Sequence, residues 1–352
     1  MRKNHNKIAS IIIVFLFSCS FLLFISLIDL KELSIKDFIN GNIQTKIETQ
    51  LKNNMPKRNW IIKIKTKFET LTLDKETNEV YRGNDGYLLK RFNNDLKNNE
   101  ITMSLNNFQR QIEYVNLNLI LSPSSITINN DKLPMFSYSD NELDSIKKIY
   151  KNILFNTIDI YEILKNNNNK YQLFYKTDTN WTVYGAYYAY YEYCIQNNIT
   201  PISINDFDIE VVSTLFKGNL TKYVEHTSTY DKMHMFYLKN SNYKVSNNNI
   251  LYDINKLNSN NMYEYYLGEE RDLTIITNES TTSKKEIVII SDSYATSIIP
   301  FIINHYKKVH FININHYNGV ISDYIKDNYY INDAIILFNI NTTNTSNFTK
   351  IK

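Results

Sequence analysis

Residues 286–300 read EIVIISDSYATSIIP, and this stretch decides the fold. Its first part, Ile287 to Ile290, is a short apolar run without the polar alternation of a half-exposed strand, as expected of a strand covered on both faces. Three further runs have the same character: Leu117 to Leu121, Val309 to Ile312, and Ala334 to Phe338. Helical patterns lie between them. In the clearest, Ser139-Asp140-Asn141-Glu142 reads as a capping box ahead of Leu143, Ile146, Ile149, Tyr150, Ile153 and Leu154 on one face. Glu79 to Leu89 places two β-favouring runs around a Gly- and Asn-containing turn, which predicts a hairpin. The expected class is α/β: a central, mainly parallel sheet flanked by helices, with ligands at the carboxyl ends of the strands.

The rest of the chain bounds what that domain can be. Its 352 residues can bury a full core. A net charge of +3, with no Lys/Arg run interleaved with aromatics, argues against nucleic acid as a partner. Arg2, Lys3 and Lys7 precede an uncharged, mainly apolar run from Ile8 to Ile28, long enough to span a bilayer, and polarity returns at Asp29, Lys31 and Glu32. Positive charge on the leading side predicts a cytoplasmic N-terminus and an extracytoplasmic body. The rival, a cleaved signal peptide, lacks a small-x-small site after the run. The expected organisation is a cytoplasmic tip and membrane anchor over 1–30, a helical stalk over 31–70 broken at Pro56, and an extracytoplasmic domain over 71–352. Cys194 is the only cysteine outside the anchor, so no internal disulfide is expected in the body. No His or Cys cluster has metal-ligand spacing, and no metal or cofactor is indicated.

Chemistry is expected where the quoted stretch turns from strand to helix. Ser293 stands at that exit, beside backbone N–H groups able to stabilise an oxyanion. The bland alternative is an N-cap. A second stretch, Phe174 to Tyr193, reads FYKTDTNWTVYGAYYAYYEY. Thr182 can cap a helix from Val183 to Ile195 so rich in Tyr and Ala that it must pack against protein or glycan. Asp178 and Asn180 then sit just ahead of that helix, where an acid and a base could be presented, or where both merely cap it.

In this order the two stretches resemble the DHHW proteins, relatives of the AlgX/AlgJ type of alginate O-acetyltransferase with an SGNH-hydrolase-like sandwich fold. Three other segments share the resemblance: Val80 to Leu88 is similar to the family's early hairpin, Leu121-Ser122-Pro123 to its first strand and turn, and Phe216-Lys217-Gly218-Asn219-Leu220 to its F-x-G-T-L segment. Coverage runs from about residue 55 to 340. The resemblance implies that Asp178 is the acid and Ser293 the nucleophile of a hydrolase-type triad passing an acetyl group through an acyl-serine. Trp181, Asp292 and Tyr294 would bind substrate or support the site. It also implies a cell-surface polysaccharide as partner and a membrane-bound protein as acyl donor.

Asn180 occupies the position of the family's histidine. An amide cannot take the serine proton and return it to a leaving group as imidazole does. Loss of a triad histidine costs up to about 10⁶ in turnover in a serine protease. His226, His305, His310 and His316 are the histidines that could substitute. Three functions stay open on sequence alone: a serine acyltransferase or esterase, a non-catalytic relative that binds glycan or scaffolds an acylation complex, and a structural envelope protein.

Overall fold

The computed structural model describes residues 76–224 and 227–352, together with Ser18 and Lys46. The chain divides into two compact units, Met1–Leu73 and Asp74–Lys352. The predicted anchor over 8–28 and stalk over 31–70 lie outside the described residues apart from Ser18 and Lys46, and so does His226. Among the described residues no helix is long and apolar enough to cross a membrane.

In chain order the strands of the second unit are β1 (Glu76–Thr77), β2 (Val80–Arg82), β3 (Leu88–Lys90), β4 (Asn116–Ser122), β5 (Asn156–Ile158), β6 (Asp208–Phe216), β7 (Asp231–Tyr237), β8 (Tyr243–Val245), β9 (Leu273–Asn278), β10 (Glu286–Ser291), β11 (Lys308–Asn313) and β12 (Ile331–Asn339). Seven of them form the central sheet in the order β5-β4-β12-β10-β11-β9-β8. The pairs from β5 to β11 are all parallel, and β9 and β8 close the far edge antiparallel. All four apolar runs are strands of this sheet. The predicted hairpin is the antiparallel pair β2–β3.

Alternation along each strand makes two cores. Ile287 and Ile289 of β10 face one layer together with Val309, Phe311, Ile335 and Leu337, covered by the helix Val183–Gln196. Val288 and Ile290 face the other, with Leu119, Ile312, Ala334 and Ile336, covered by the helices Asn98–Gln111 and Glu142–Tyr150. Inward placement of the Tyr-rich helix explains its composition: Tyr187, Tyr188, Tyr190 and Tyr193 are all buried. Cys194 lies on the same buried face as a free thiol.

The expectations for helix starts need correction. No capping box forms at Ser139: the cap is Asn141, whose side chain accepts from the N–H groups of Leu143 and Asp144. Glu142 is instead buried against Ser124, accepting from its N–H at 2.8 Å and from its hydroxyl. Leu154, expected on the buried face, lies beyond the end of that helix and is exposed. Thr182 stands at the N-cap of its helix, yet its hydroxyl donates to the carbonyl of Gln172 and caps nothing.

β10 lies at the centre of the sheet, with β11 on one side and β12 on the other, so the chain reverses its direction of travel across the sheet there. Such reversals open a crevice at the carboxyl ends of parallel strands. Ser293 leaves β10 at that point.

Candidate active site

Asp178 stands on a loop tied back onto itself. Phe174 and Trp181 form an antiparallel bridge, and the N–H of Thr182 donates to the carbonyl of Leu173 at 2.9 Å. Asp178 at the loop's tip is 4% exposed. Its Oδ1 accepts from both the N–H and the side-chain amide of Asn180, each at 2.8 Å, and its Oδ2 accepts from the N–H of Asn219 at 2.7 Å. Burial raises its proton affinity, and these three donors oppose that rise. Gly218 is required here by close approach: a Cβ would lie 2.3 Å from Asp178 Cβ and 2.5 Å from the carbonyl oxygen of Thr177.

Below this loop is a carboxylate that the sequence did not mark. Asp231 at the start of β7 is 2% exposed and accepts from the N–H groups of Lys176 and Thr177, the Thr177 hydroxyl and the side chain of Gln172. The Thr177 hydroxyl in turn accepts from the N–H of Gly218. Asp231 thus fixes the segment that presents Asp178.

The serine turn is held differently. Asp292 caps a tight 3₁₀ helix, Ser293–Ile298, accepting from the N–H of Tyr294 at 2.9 Å. Desolvation pushes its carboxyl up to about 6, and Glu270 nearby adds to the rise. Ser293 is half-buried, and among the described residues its hydroxyl has no hydrogen-bond partner. Trp181 and Tyr294 are buried and join the two halves of the site from beneath, which is the supporting place among the two the resemblance offered. The Trp181 indole N–H donates to Ser297 Oγ at 2.9 Å, its ring lies 4.4 Å from that of Tyr294, and the hydroxyl of Tyr263 reaches Ser297 Oγ at 2.9 Å. The Tyr294 hydroxyl bonds Ser122 Oγ at the exit of β4.

Asp178, Asn180 and Ser293 line one cleft of about 530 Å³, with Gly218, Tyr263 and Glu270 among the other lining residues. Chain segments 115 residues apart therefore meet at one cleft. In this arrangement Asn180 donates to the acid as an imidazole N–H would, but its other side-chain atom is a carbonyl oxygen, which accepts hydrogen bonds without taking protons. Of the four described histidines, His234 on β7 packs edge-on against Tyr184, at 5.1 Å between ring centres. His305 bonds Tyr190 in the core, and His310 is buried between Glu286 and Tyr324. His316, on the loop after β11, pairs with the cleft residue Glu270.

Asp231, Tyr263, Ser297 and Glu270 were missed by sequence reasoning. Asp231, Tyr263 and Glu270 belong to segments brought to the site by long-range contacts, whereas Ser297 lies one turn after Ser293 and is tied in by its bonds to Trp181 and Tyr263. Asn219 alone carried a signal, through its place in the F-x-G segment.

Fold and site together define an α/β protein with a serine at the exit of a central parallel strand, facing an Asp-x-Asn-Trp loop across a cleft. The chain belongs to the DHHW protein family, whose family model matches residues 65–312. It is similar in structure to a DHHW family protein from Eubacterium siraeum, with a TM-score of 0.69 at 18% identity, covering 78% of this chain and 96% of that one. It is also similar to Bacillus cereus PatB1 in a structure with a sulfonyl adduct, with a TM-score of 0.63 at 20% identity, covering 79% of this chain and 100% of that one. At these identities the likeness carries the fold. No curated protein matches the sequence.

Proposed function

We propose that this chain works in the O-acetylation of a cell-surface polysaccharide, with Ser293 as the residue that carries the acyl group. The observation that supports this reading is the meeting of Asp178, Asn180 and Ser293 in one cleft, with the serine hydroxyl unbonded among the described residues. The cleft has room for part of a sugar chain beside a small acyl group. In this reading residues 8–28 anchor the chain, the body is extracytoplasmic, and a membrane-bound protein supplies the acyl group.

Asn180 sets the terms of the chemistry. It satisfies one oxygen of Asp178 and so preserves the acid loop, but it supplies no base. That observation favours a second reading, in which the cleft binds glycan or scaffolds an acylation complex without turnover. The two readings separate by trapping. The full chain is mixed with p-nitrophenyl acetate and its intact mass is followed, with Ser293→Ala alongside. One acetyl group on Ser293, absent from the variant, supports acyl transfer. An inert Ser293 together with glycan binding that survives Ser293→Ala supports the binding role.

A further inference from the structure

We propose that His316 and Glu270 form the acid–base pair serving Ser293, in place of the base missing at Asn180; the inference rests on Ser293 being the acyl carrier. The register brings the segments that carry Ser293 and His316 off the sheet side by side, with Glu270 between His316 and the cleft that Ser293 lines. β10 and β11 run parallel with Ser291 opposite Asn313, and the N–H of Ile314 donates to the Ser291 carbonyl at 2.9 Å. The two chains therefore leave the sheet side by side, at a strand spacing of about 4.8 Å. One turns into Ser293, and the other into a tight turn where the N–H of His316 donates to the Asn313 carbonyl at 3.1 Å.

The pair has the polarity a base requires. His316 Nε2 lies 3.1 Å from Glu270 Oε2, and Glu270 lines the same cleft as Ser293. A carboxylate only accepts, so Nε2 carries the hydrogen and Nδ1 is left with its lone pair, without a partner among the described residues. Both side chains are partly open, at 48% and 30% exposure, so protons can reach and leave them. The other charges on these elements are Asp292 beside Ser293, Arg271, which pairs with Glu269, and Asp272, whose carbonyl accepts from the N–H of Asn313.

In the first half of the reaction, Ser293 Oγ bonds to the acyl carbonyl carbon while its proton passes to His316 Nδ1. The bond from that carbon to the donor oxygen then breaks, and the imidazolium returns the proton to that oxygen. In the second half a sugar hydroxyl gives its proton to Nδ1 and its oxygen bonds to the acyl carbon. Ser293 Oγ leaves and recovers the proton. Glu270 holds the ring and stabilises the imidazolium throughout.

The probe is phenylmethylsulfonyl fluoride, and the readout is the rate of labelling at Ser293 in the full chain between pH 5 and 9. Labelling of the unsubstituted chain is expected to rise with pH along a single ionisation. His316→Asn should slow it about 10² to 10⁴-fold and flatten the profile. Glu270→Gln keeps a partner for the ring but removes its charge, and should slow labelling, though less than His316→Asn, while leaving the thermal melt unchanged, a split that a merely structural role would not produce. An unaltered rate and profile in His316→Asn overturns the pair. So does an inert natural chain whose Asn180→His variant labels, since that leaves Ser293 competent but without a base. If neither of those two forms labels, the acyl-serine reading itself fails, and the pair with it.

Discussion

Replacing Gly218 by alanine tests how tightly the acid loop is built. The added Cβ would stand 2.3 Å from Asp178 Cβ, 2.4 Å from Asp178 Oδ2 and 2.5 Å from the Thr177 carbonyl oxygen. The backbone at 218, with φ −80° and ψ 177°, suits alanine, so the cost lies in contact and not in torsion. None of the three atoms is free to retreat. Thr177 is held by Asp231 through its N–H and hydroxyl, and its carbonyl accepts from the N–H of Leu220. Asp178 is held at both oxygens. The loop must therefore open and give up the charge-assisted bond from Asn219, worth about 1.5–3 kcal/mol, along with part of the packing beneath it. Together these predict a loss of about 2–4 kcal/mol. Urea unfolding followed by tryptophan fluorescence measures it, with a lower midpoint and an unchanged slope expected. A change under about 0.5 kcal/mol would refute the claim that the loop cannot yield.

Trp181→Phe removes the bond to Ser297 and part of a buried ring, and is expected to cost about 2–3 kcal/mol and to slow any labelling of Ser293; an unchanged melt and labelling rate would detach Trp181 from the serine turn. Asp231→Ala leaves four donors of the acid loop without their acceptor and should cost about 3–5 kcal/mol by denaturant titration, whereas a cost below about 1 kcal/mol would show that the loop stands without it. For Asp292 the folded carboxyl, at about 6, holds its proton more tightly than the ordinary 3.8. Its contribution to stability is thus complete below about pH 3.8 and is lost as pH rises through about 6. Asp292→Asn should therefore melt higher than the natural chain at pH 8, by about 1–3 kcal/mol, with the gain fading towards pH 4; a difference that does not change with pH would contradict the shift.

What could be read from the sequence follows from burial. β4, β10, β11 and β12 are covered on both faces, so their runs are continuous and stand out from the Asn- and Lys-rich background. β9 alternates half-buried and buried positions and carries three polar residues, while β5 and β8 are three residues each, too short for any periodicity to show. The capping box failed because Glu142 had a stronger use: its carboxylate satisfies the N–H and hydroxyl of Ser124 inside the protein. Ser293, Asp178 and Asn180 were legible because each sits in a short motif with local geometry. Asp231 and Glu270 were not, because what makes them part of the site is a contact tens of residues away, Asp231 with Thr177 and Glu270 with His316.

The central claim, that Ser293 is an acyl carrier, is tested most directly by peptide mass spectrometry of the full chain after brief exposure to p-nitrophenyl acetate, with Ser293→Ala and Asn180→His treated alike. The account predicts an acetyl group on Ser293 of the natural chain, none at that peptide in Ser293→Ala, and faster acetylation in Asn180→His. Unmodified Ser293 in both the natural chain and Asn180→His, with the fold intact by circular dichroism, would contradict it.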